Sequence, residues 1–429
     1  MYCPLLPQKL ALGVCLALGM AGIHLPASAA EPLAITDHAE LHEPLPRNQQ
    51  MTLVSVLEQA IREAPETQLQ ESTGQQAQTI QALARRWIVG APSWQTSMID
   101  DRLQTDQGLR ELETGIAFNL WRPGERRDAL ALGDAYAERS AHWQRWLHWL
   151  IAGRLRSAVA ELERADLALT TSQQVVQDAQ HLLDTTRRMQ QAGAASELDV
   201  MQAESLWLQR NRELMDADAA RVDAEREWQV LTGLSLRPAE LHRETLSTLE
   251  TIPDNHPLLA LRQSELVVSD AAVLEAEREA RGSPSLSVGL RRERGDWRQP
   301  YINSAAVTVS IPFATRAVVN AAGSQARMAR STSEVARLQD LRELTARLHE
   351  VKHELSTVAD ALPLAAREHE LSQRQQQMAQ TAFETGELEL PQVILILQRA
   401  RESALAYQQL LLRQQHLEAE YNQIVGVLP

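Results

Sequence analysis

"RRMQQAGAASELDVMQAESLW" (residues 187–207) has a counterpart in "AFETGELELPQVILILQRA" (residues 382–400). Each stretch sets a lone Gly between two long runs of mixed charged and apolar residues. Gly386 follows Gly193 by 193 positions, and the same offset carries Asp199 onto Gln392. It also pairs Trp228 with Tyr421, "LTG" (231–233) with "IVG" (424–426), and "GIAFNLW" (115–121) with "TVSIPFA" (308–314). At "APSW" and "SPSL", where Pro92 meets Pro284, the offset becomes 192, as one insertion or deletion between the blocks requires. Matched blocks in one order at nearly one offset read as an internal duplication. The first repeat is expected over residues 51–245 and the second over 246–429, after a leader at 1–30 and an extension at 31–50.

The long runs are helical in period. From Leu155 a three-four spacing passes through Ala158, Leu162, Ala165, Leu169, Ser172, Val176, Ala179 and Leu183, a heptad seam alternating large and small residues. Ile396, Ala400, Ser403, Tyr407, Leu410, Gln414, Leu417, Tyr421 and Ile424 repeat it. One helix over 125–190 would be about 100 Å long, and 316–384 would match it, with a kink expected at Pro363. Such helices must reverse at Gly193 and Gly386, because Gly accepts the left-handed conformation that ends a helix. Ser196 is the expected N-cap of the first returning helix.

Ahead of each long helix the period changes to two. "SWQTSMIDDR" alternates from Ser93, and after "LQTDQG" the stretch "LRELETGIAFNLW" puts Leu112, Thr114, Ile116, Phe118 and Leu120 on one face and Glu111, Glu113, Gly115, Ala117 and Asn119 on the other. The second repeat offers Leu286, Val288 and Leu290, then Val307, Val309, Ile311 and Phe313, around the polar "RRERGDWRQP". Hairpins are expected at about 92–121 and 284–314. This alternation is what a membrane strand with one lipid face and one wet face requires, with Glu111 and Glu113 toward the lumen and Trp121 and Phe313 at the membrane interface. A soluble hairpin satisfies the same pattern when taken alone.

The ends and the composition narrow the class. Residues 1–30 hold one charge, Lys9, an apolar run and a small-residue end, the pattern of a secretory signal peptide cut near Ala30 or Glu31. Both cysteines, Cys3 and Cys15, fall inside it, so the exported chain would use no disulfide or thiolate; Val14 before Cys15 argues against a lipoprotein signal. A net charge of −14 over 429 residues, one unit more negative without Lys9, excludes nucleic acid as a natural partner. Beyond residue 30 no apolar run reaches the roughly 18 residues of a membrane helix, so any span is made of strands. Four strands cannot close a barrel, since the smallest have about eight, and an open edge cannot face lipid. Several chains must then share one barrel above a helical tube.

The order of helix, strand pair, long helix, Gly turn and helix, all twice, resembles the TolC-like outer-membrane factors of Gram-negative tripartite efflux systems over about residues 51–428. "WRPGERRDALAL", "SLSVGLRRERGD" and "VTVSIPFATRAVVNAAGSQA" look most like the outer-membrane component of cobalt-zinc-cadmium-type heavy-metal efflux. The resemblance implies a mainly α fold with a small membrane β-barrel: a homotrimer sharing twelve strands on an α-helical tube, reaching from the outer membrane deep into the periplasm. It implies a periplasmic adaptor and an inner-membrane proton-driven pump as partners and no cofactor. Gly193, Ser196, Asp199, Gly386 and Gln392 would then lie at the tips that meet the adaptor. Relatives often narrow the entrance with acids after the second Gly, whereas Gln392 and Leu395 stand here. Glu384, Glu387 and Glu389 are candidates to replace them, or simply a solvated acidic helix end.

Two motifs compete with this reading. "HEVKH" (349–353) has the zinc-protease pattern but lacks its "xxGxxH" continuation, sits within an expected rod helix, and leaves only Glu368 or Glu370 to be invoked as a further ligand. "HWQRWLHWL" aligns Trp143, Trp146 and Leu150 on one stripe, read as helix packing, with an aromatic substrate site as the other reading. No nucleophile-base-acid set or phosphate loop appears, so no enzyme activity is expected. The rival functions are a conduit for drugs or a secreted protein, and a periplasmic coiled-coil adaptor.

Overall fold

The computed structural model describes residues 44–239 and 244–429. The expected signal peptide and residues 31–43 of the extension lie outside the described residues. The chain runs β1 (Arg47–Asn48), α1 (Leu53–Glu63), α2 (Glu66–Ala84), β2 (Ile88–Asp100), β3 (Arg110–Leu120), α3 (Glu125–Gln191), α4 (Glu197–Thr232), β4 (Arg237–Pro238), α5 (Pro257–Glu279), β5 (Ser285–Arg294), β6 (Ile302–Ser310), α6 (Arg316–Glu384) and α7 (Leu390–Ile424). α3 and α6, with 67 and 69 residues, match the expected long helices, and α6 stays helical through Pro363. The short parallel pair β1–β4 was not expected. Nor was the division of the first helical segment into α1 and α2. That break follows from Pro65, which holds Ala64 in an extended conformation.

α3 and α6 are the axes of the fold. The first half of α3 carries α2 and α5, and its second half carries α4 and α7; α6 likewise carries α5 and then α7. Three cores result. Leu147, Ile151, Leu155 and Leu162 of α3 meet Val56 and Ala60 of α1 and Trp228 of α4. Leu348, Val351 and Val358 of α6 meet Leu417, Tyr421 and Ile424 of α7. At the Gly-turn end, Leu182 and Leu183, Ala203, Phe383, Leu390 and Val393 bring all four helices together. The seam beginning at Leu155 is buried at both ends and only half-buried at Leu169, Ser172 and Val176. The two aromatic positions paired by the 193-residue offset do equivalent work: Trp228 Nε1 donates to Leu236 O at 3.0 Å and Tyr421 OH donates to Leu249 O at 2.6 Å.

Polar bridges join the halves where α3 passes α7. Arg156, buried, forms a fork with Glu244 at 2.7 and 2.6 Å and donates to Gln423 and to Val427 O. Asn422 Nδ2 donates to the same Glu244 carboxylate at 3.0 Å. Glu163 and His416 meet at 2.8 Å, as do Glu213 and Arg401 farther along. Fully buried Glu225 is balanced by Arg221 at 2.9 Å and Arg237 at 3.6 Å, and Arg237 in turn grips Asp166 with two bonds of 3.0 Å. A buried carboxylate is tolerable only with such partners.

Candidate conduit: a two-faced sheet and paired helix turns

The four long strands form one antiparallel sheet in the order β2-β3-β5-β6, leaving β2 and β6 as edges. Its register sorts the side chains, because directly opposed residues share a face. One face carries the rows Phe118–Leu286–Val309, Trp94–Ile116–Val288–Val307, Thr96–Thr114–Leu290–Ala305 and Met98–Leu112–Arg292–Asn303. The other carries Ser93–Ala117–Ser287–Thr308, Gln95–Gly115–Gly289–Ala306 and Ser97–Glu113–Arg291–Ser304, with Ile99 and Ile302 its exceptions beside Glu111 and Glu293. No described residue covers the apolar face: Trp94, Leu290 and Val307 are 76%, 68% and 66% exposed. On the polar face the backbones of β3 and β5 close together, so that a Cβ on Gly289 would sit 2.5 Å from Thr114 O and 2.9 Å from Gly115 Cα. Only hydrogen fits at that pair.

The strand ends differ from expectation. β2 begins at Ile88, ahead of Pro92, and its register shifts between Val89 and Ser93 with Gly90 at φ +71°. Pro92 has no N–H for the ladder, and an irregularity on an edge strand accommodates it. β6 ends at Ser310, so Ile311 and Phe313 are not strand residues. Pro312 interrupts the ladder there, and its carbonyl instead accepts Arg122 Nη2 at 2.6 Å. Phe313 projects almost wholly exposed beyond the strand, while Trp121 is half-buried with Nε1 donating to Arg86 O at 2.9 Å. Trp87, 89% exposed, joins them at the helix end of the sheet. Its place just before β2, a strand expected to start later, hid it from sequence reasoning.

Glu111 and Glu113 share the polar face, as their alternation requires, but Glu111 is not a free acid. Arg291 pairs with it at 2.9 Å and with Glu293 at 2.6 Å. The face thus holds three carboxylates and one guanidinium, and Arg291 and Glu293 belong to the set although the pattern of β3 alone does not show them. The parity of "SVGLRRER" relative to β3 would have found them.

At the other end the turns are near copies. Gly193 and Gly386 have φ +78° and +77°. Gly193 N–H donates to Gln190 O at 2.9 Å and Ala194 N–H to Met189 O at 2.8 Å; Gly386 N–H donates to Phe383 O at 3.0 Å and Glu387 N–H to Ala382 O at 2.8 Å. Both are Schellman closures, which satisfy the last carbonyls of α3 and α6. Beyond them the turns diverge. Ser196 Oγ accepts Asp199 N–H at 3.2 Å while Asp199 Oδ2 accepts Ser196 N–H at 2.8 Å, a reciprocal capping box. The Ser196 hydroxyl and amide hold the Asp199 carboxyl below the ordinary carboxylate range. In α7 the N-cap is Glu389, with no side-chain cap bond, and Gln392 occupies the position of Asp199. The carboxylates of Glu384, Glu387 and Glu389 all stand exposed on this turn.

The competing motifs lie elsewhere. His349 and His353 are exposed on α6, Glu350 between them is paired with Arg347 at 2.8 Å, and Glu370 is paired with Arg367 and Arg374. No group of three or more metal-ligating side chains converges among the described residues. The Trp143 and Trp146 rings lie 4.7 Å apart, tilted by 53°, and the deepest stripe of that helix is Leu147 and Ile151. No helix among the described residues is long and apolar enough to cross a membrane.

No protein-family profile and no curated protein matches the sequence. Solved structures do. The fold is similar to the CmeC outer membrane channel of Campylobacter jejuni, with a TM-score of 0.70 and 13% identity over 87% of this chain and 85% of that one. It is similar to CusC, a transmembrane channel, with a TM-score of 0.70 and 16% identity over 87% and 92%. It is similar also to the outer membrane protein VceC of Vibrio cholerae, with a TM-score of 0.68 and 14% identity over 87% and 96%. The chain thus has the fold of outer-membrane channels with a helical tube.

Proposed function

We propose that the protein is one third of an outer-membrane export conduit in a tripartite efflux system. The observation that carries this is the sheet: one uncovered apolar face, one polar face, and two unpaired edges. Backbone groups on such edges cannot remain unsatisfied in hydrocarbon, and four strands cannot close on themselves. β6 of one copy would pair with β2 of the next, giving twelve strands in a homotrimer, with the apolar rows toward lipid and Glu113, Arg291 and Glu293 in the lumen. α6 lies on the β6 side and α2 and α4 on the β2 side, so the same rotation closes the helices into a tube.

The two halves of the chain read as duplicated units, 51–245 and 246–429, and their Gly turns, with Ser196, Asp199 and Gln392 beside them, as the tips that receive a periplasmic adaptor joined to an inner-membrane pump. The cargo we assign is heavy-metal cations. Three sequence stretches resembling metal-efflux channels and the excess of acids on the polar face support it; a low-dielectric wall of one net sign concentrates counter-ions without a ligand site. Glu384, Glu387 and Glu389 would extend that field to the entrance. Deleting the protein should sensitise cells to zinc, cobalt, cadmium, copper or nickel. Sensitivity to bulky organic drugs alone would reject the cargo and keep the channel.

A further inference from the structure

The loop end of the sheet is unlike its helix end. The apolar face stops at the row of Leu112 and is continued by basic residues: Arg292 in that row, then Arg110 and Arg294, which oppose each other one row beyond. All have the parity of Leu112 and Leu290, so on the reading above they face outward. An Arg near the bilayer midplane costs about 2–4 kcal/mol, falling to about 0–1 near the interface. Three on two successive rows therefore mark where hydrocarbon ends.

Their surroundings hold them ready for an anion. Trp297 lies 5.6 Å from the Arg110 guanidinium and 4.5 Å from that of Arg294, and Tyr301 lies 4.4 Å from Arg292 and 4.7 Å from Arg294. The rings occupy guanidinium faces and leave N–H edges for a ligand. Trp297 is itself fixed by Nε1 donating to Asp106 O at 3.0 Å and by its N–H donating to Gln107 O at 3.1 Å, so the two loops form one platform. Arg294 Nε donates to Gly108 O at 3.1 Å, while its Nη2 is buried without a partner. Three neighbouring carboxylates are already engaged. Asp100 pairs with Arg102 at 2.8 Å and Arg110 at 3.3 Å, Asp101 accepts the amides of Gln107 and Gly108, and Asp296 accepts that of Arg298. Neither Arg292 nor Arg294 has a carboxylate partner among the described residues. Arg291, on the opposite face, is saturated by Glu111 and Glu293.

We infer that Arg110, Arg292 and Arg294, stacked on Trp297 and Tyr301, form a docking site for the phosphate groups of lipid head groups in the outer leaflet. Guanidinium forks match phosphate oxygens with charge-assisted bonds, and the site lies at head-group height on the lipid side. The inference rests on the membrane orientation proposed above.

The test is native mass spectrometry of the purified trimer in zwitterionic detergent with added diphosphoryl lipid A, its phosphate-free form, or inorganic phosphate. The wild type should retain the diphosphoryl lipid, and Arg292→Gln with Arg294→Gln should weaken retention about tenfold or more, as loss of charge-assisted bonds implies. Arg291→Gln, on the opposite face, should leave lipid retention at the wild-type level. Equal retention of the phosphate-free lipid, equal retention by the double variant, or displacement by millimolar inorganic phosphate would overturn the inference. Where the double variant fails to assemble, exposed Arg292→Gln alone carries the comparison. A wild-type chain that never trimerises in detergent would instead refute the channel reading.

Discussion

Val307 stands in the middle row of the apolar face, opposite Val288 and in line with Ile116 and Trp94, and is 66% exposed. Thr308, the next residue, lies on the polar face opposite Ser287. Arg at Val307 would put a guanidinium near the bilayer midplane, at about 2–4 kcal/mol per chain and so about 6–12 kcal/mol for three copies. Arg at Thr308 would enter a wet lumen and should change stability by only about 0.5 kcal/mol. The comparison isolates the assigned faces, since both variants add the same side chain one residue apart. Refolding into vesicles at graded urea, read by heat-modifiable mobility on a gel, should show Val307→Arg losing trimer at much lower urea than wild type and Thr308→Arg matching it. Equal behaviour, or a worse Thr308→Arg, would refute the two-faced sheet.

At the tips, a Cβ on Gly193 or Gly386 would meet no atom within 4 Å, so the cost of Gly→Val is purely conformational. It should be about 1–2 kcal/mol at each turn for the left-handed backbone, visible as faster hydrogen exchange around 188–200 or 381–393, whereas Gly→Asn should be milder. Ser196→Ala should remove a capping box worth about 1 kcal/mol. Because the folded Asp199 carboxyl titrates below its usual 3.8, its stabilisation is complete above that value and is lost as pH falls through the lower folded value; exchange at 196–200 should rise only in that acid window. Arg156→Met would strand Glu244 in its part-buried fork and should cost about 3–5 kcal/mol in urea unfolding. Glu113→Gln should reduce cation selectivity in planar bilayers more than Glu111→Gln or Glu293→Gln, whose shared partner Arg291 already offsets them.

Much of this fold is visible in the residues because two periods dominate it. Heptad spacing in α3 and α7, the repeat offset and a lone Gly specify the long helices and their reversals nearly to the residue, since one residue type satisfies the positive φ each turn needs. The alternation of "LRELETGIAFNLW" likewise specifies β3 and its faces. What escaped depends on partners distant in sequence. Arg291 and Glu293 become part of the Glu111 face only when β5 pairs with β3. The start of β2 and the end of β6 depend on Pro92 and Pro312, where a missing N–H acts through the neighbouring strand. β1–β4 rests on Arg237, Asp166 and Glu225 meeting from three elements. Asp199 reads from sequence only as a residue of the tip, and that its carboxylate serves the Ser196 cap is shown by hydrogen bonds rather than by position.

A channel of this kind requires the sheet to be completed by other copies of the same chain in a membrane. Cells expressing the protein can be fractionated, their outer membranes extracted with mild detergent, and the extract run unheated and heated on a denaturing gel with in-gel cross-linking of cysteines placed on the edges β2 and β6. A heat-dissociable trimer found in the outer-membrane fraction, cross-linked from β2 of one copy to β6 of another, is the predicted result. A monomer in the soluble periplasmic fraction, with no cross-link between those edges, would contradict it.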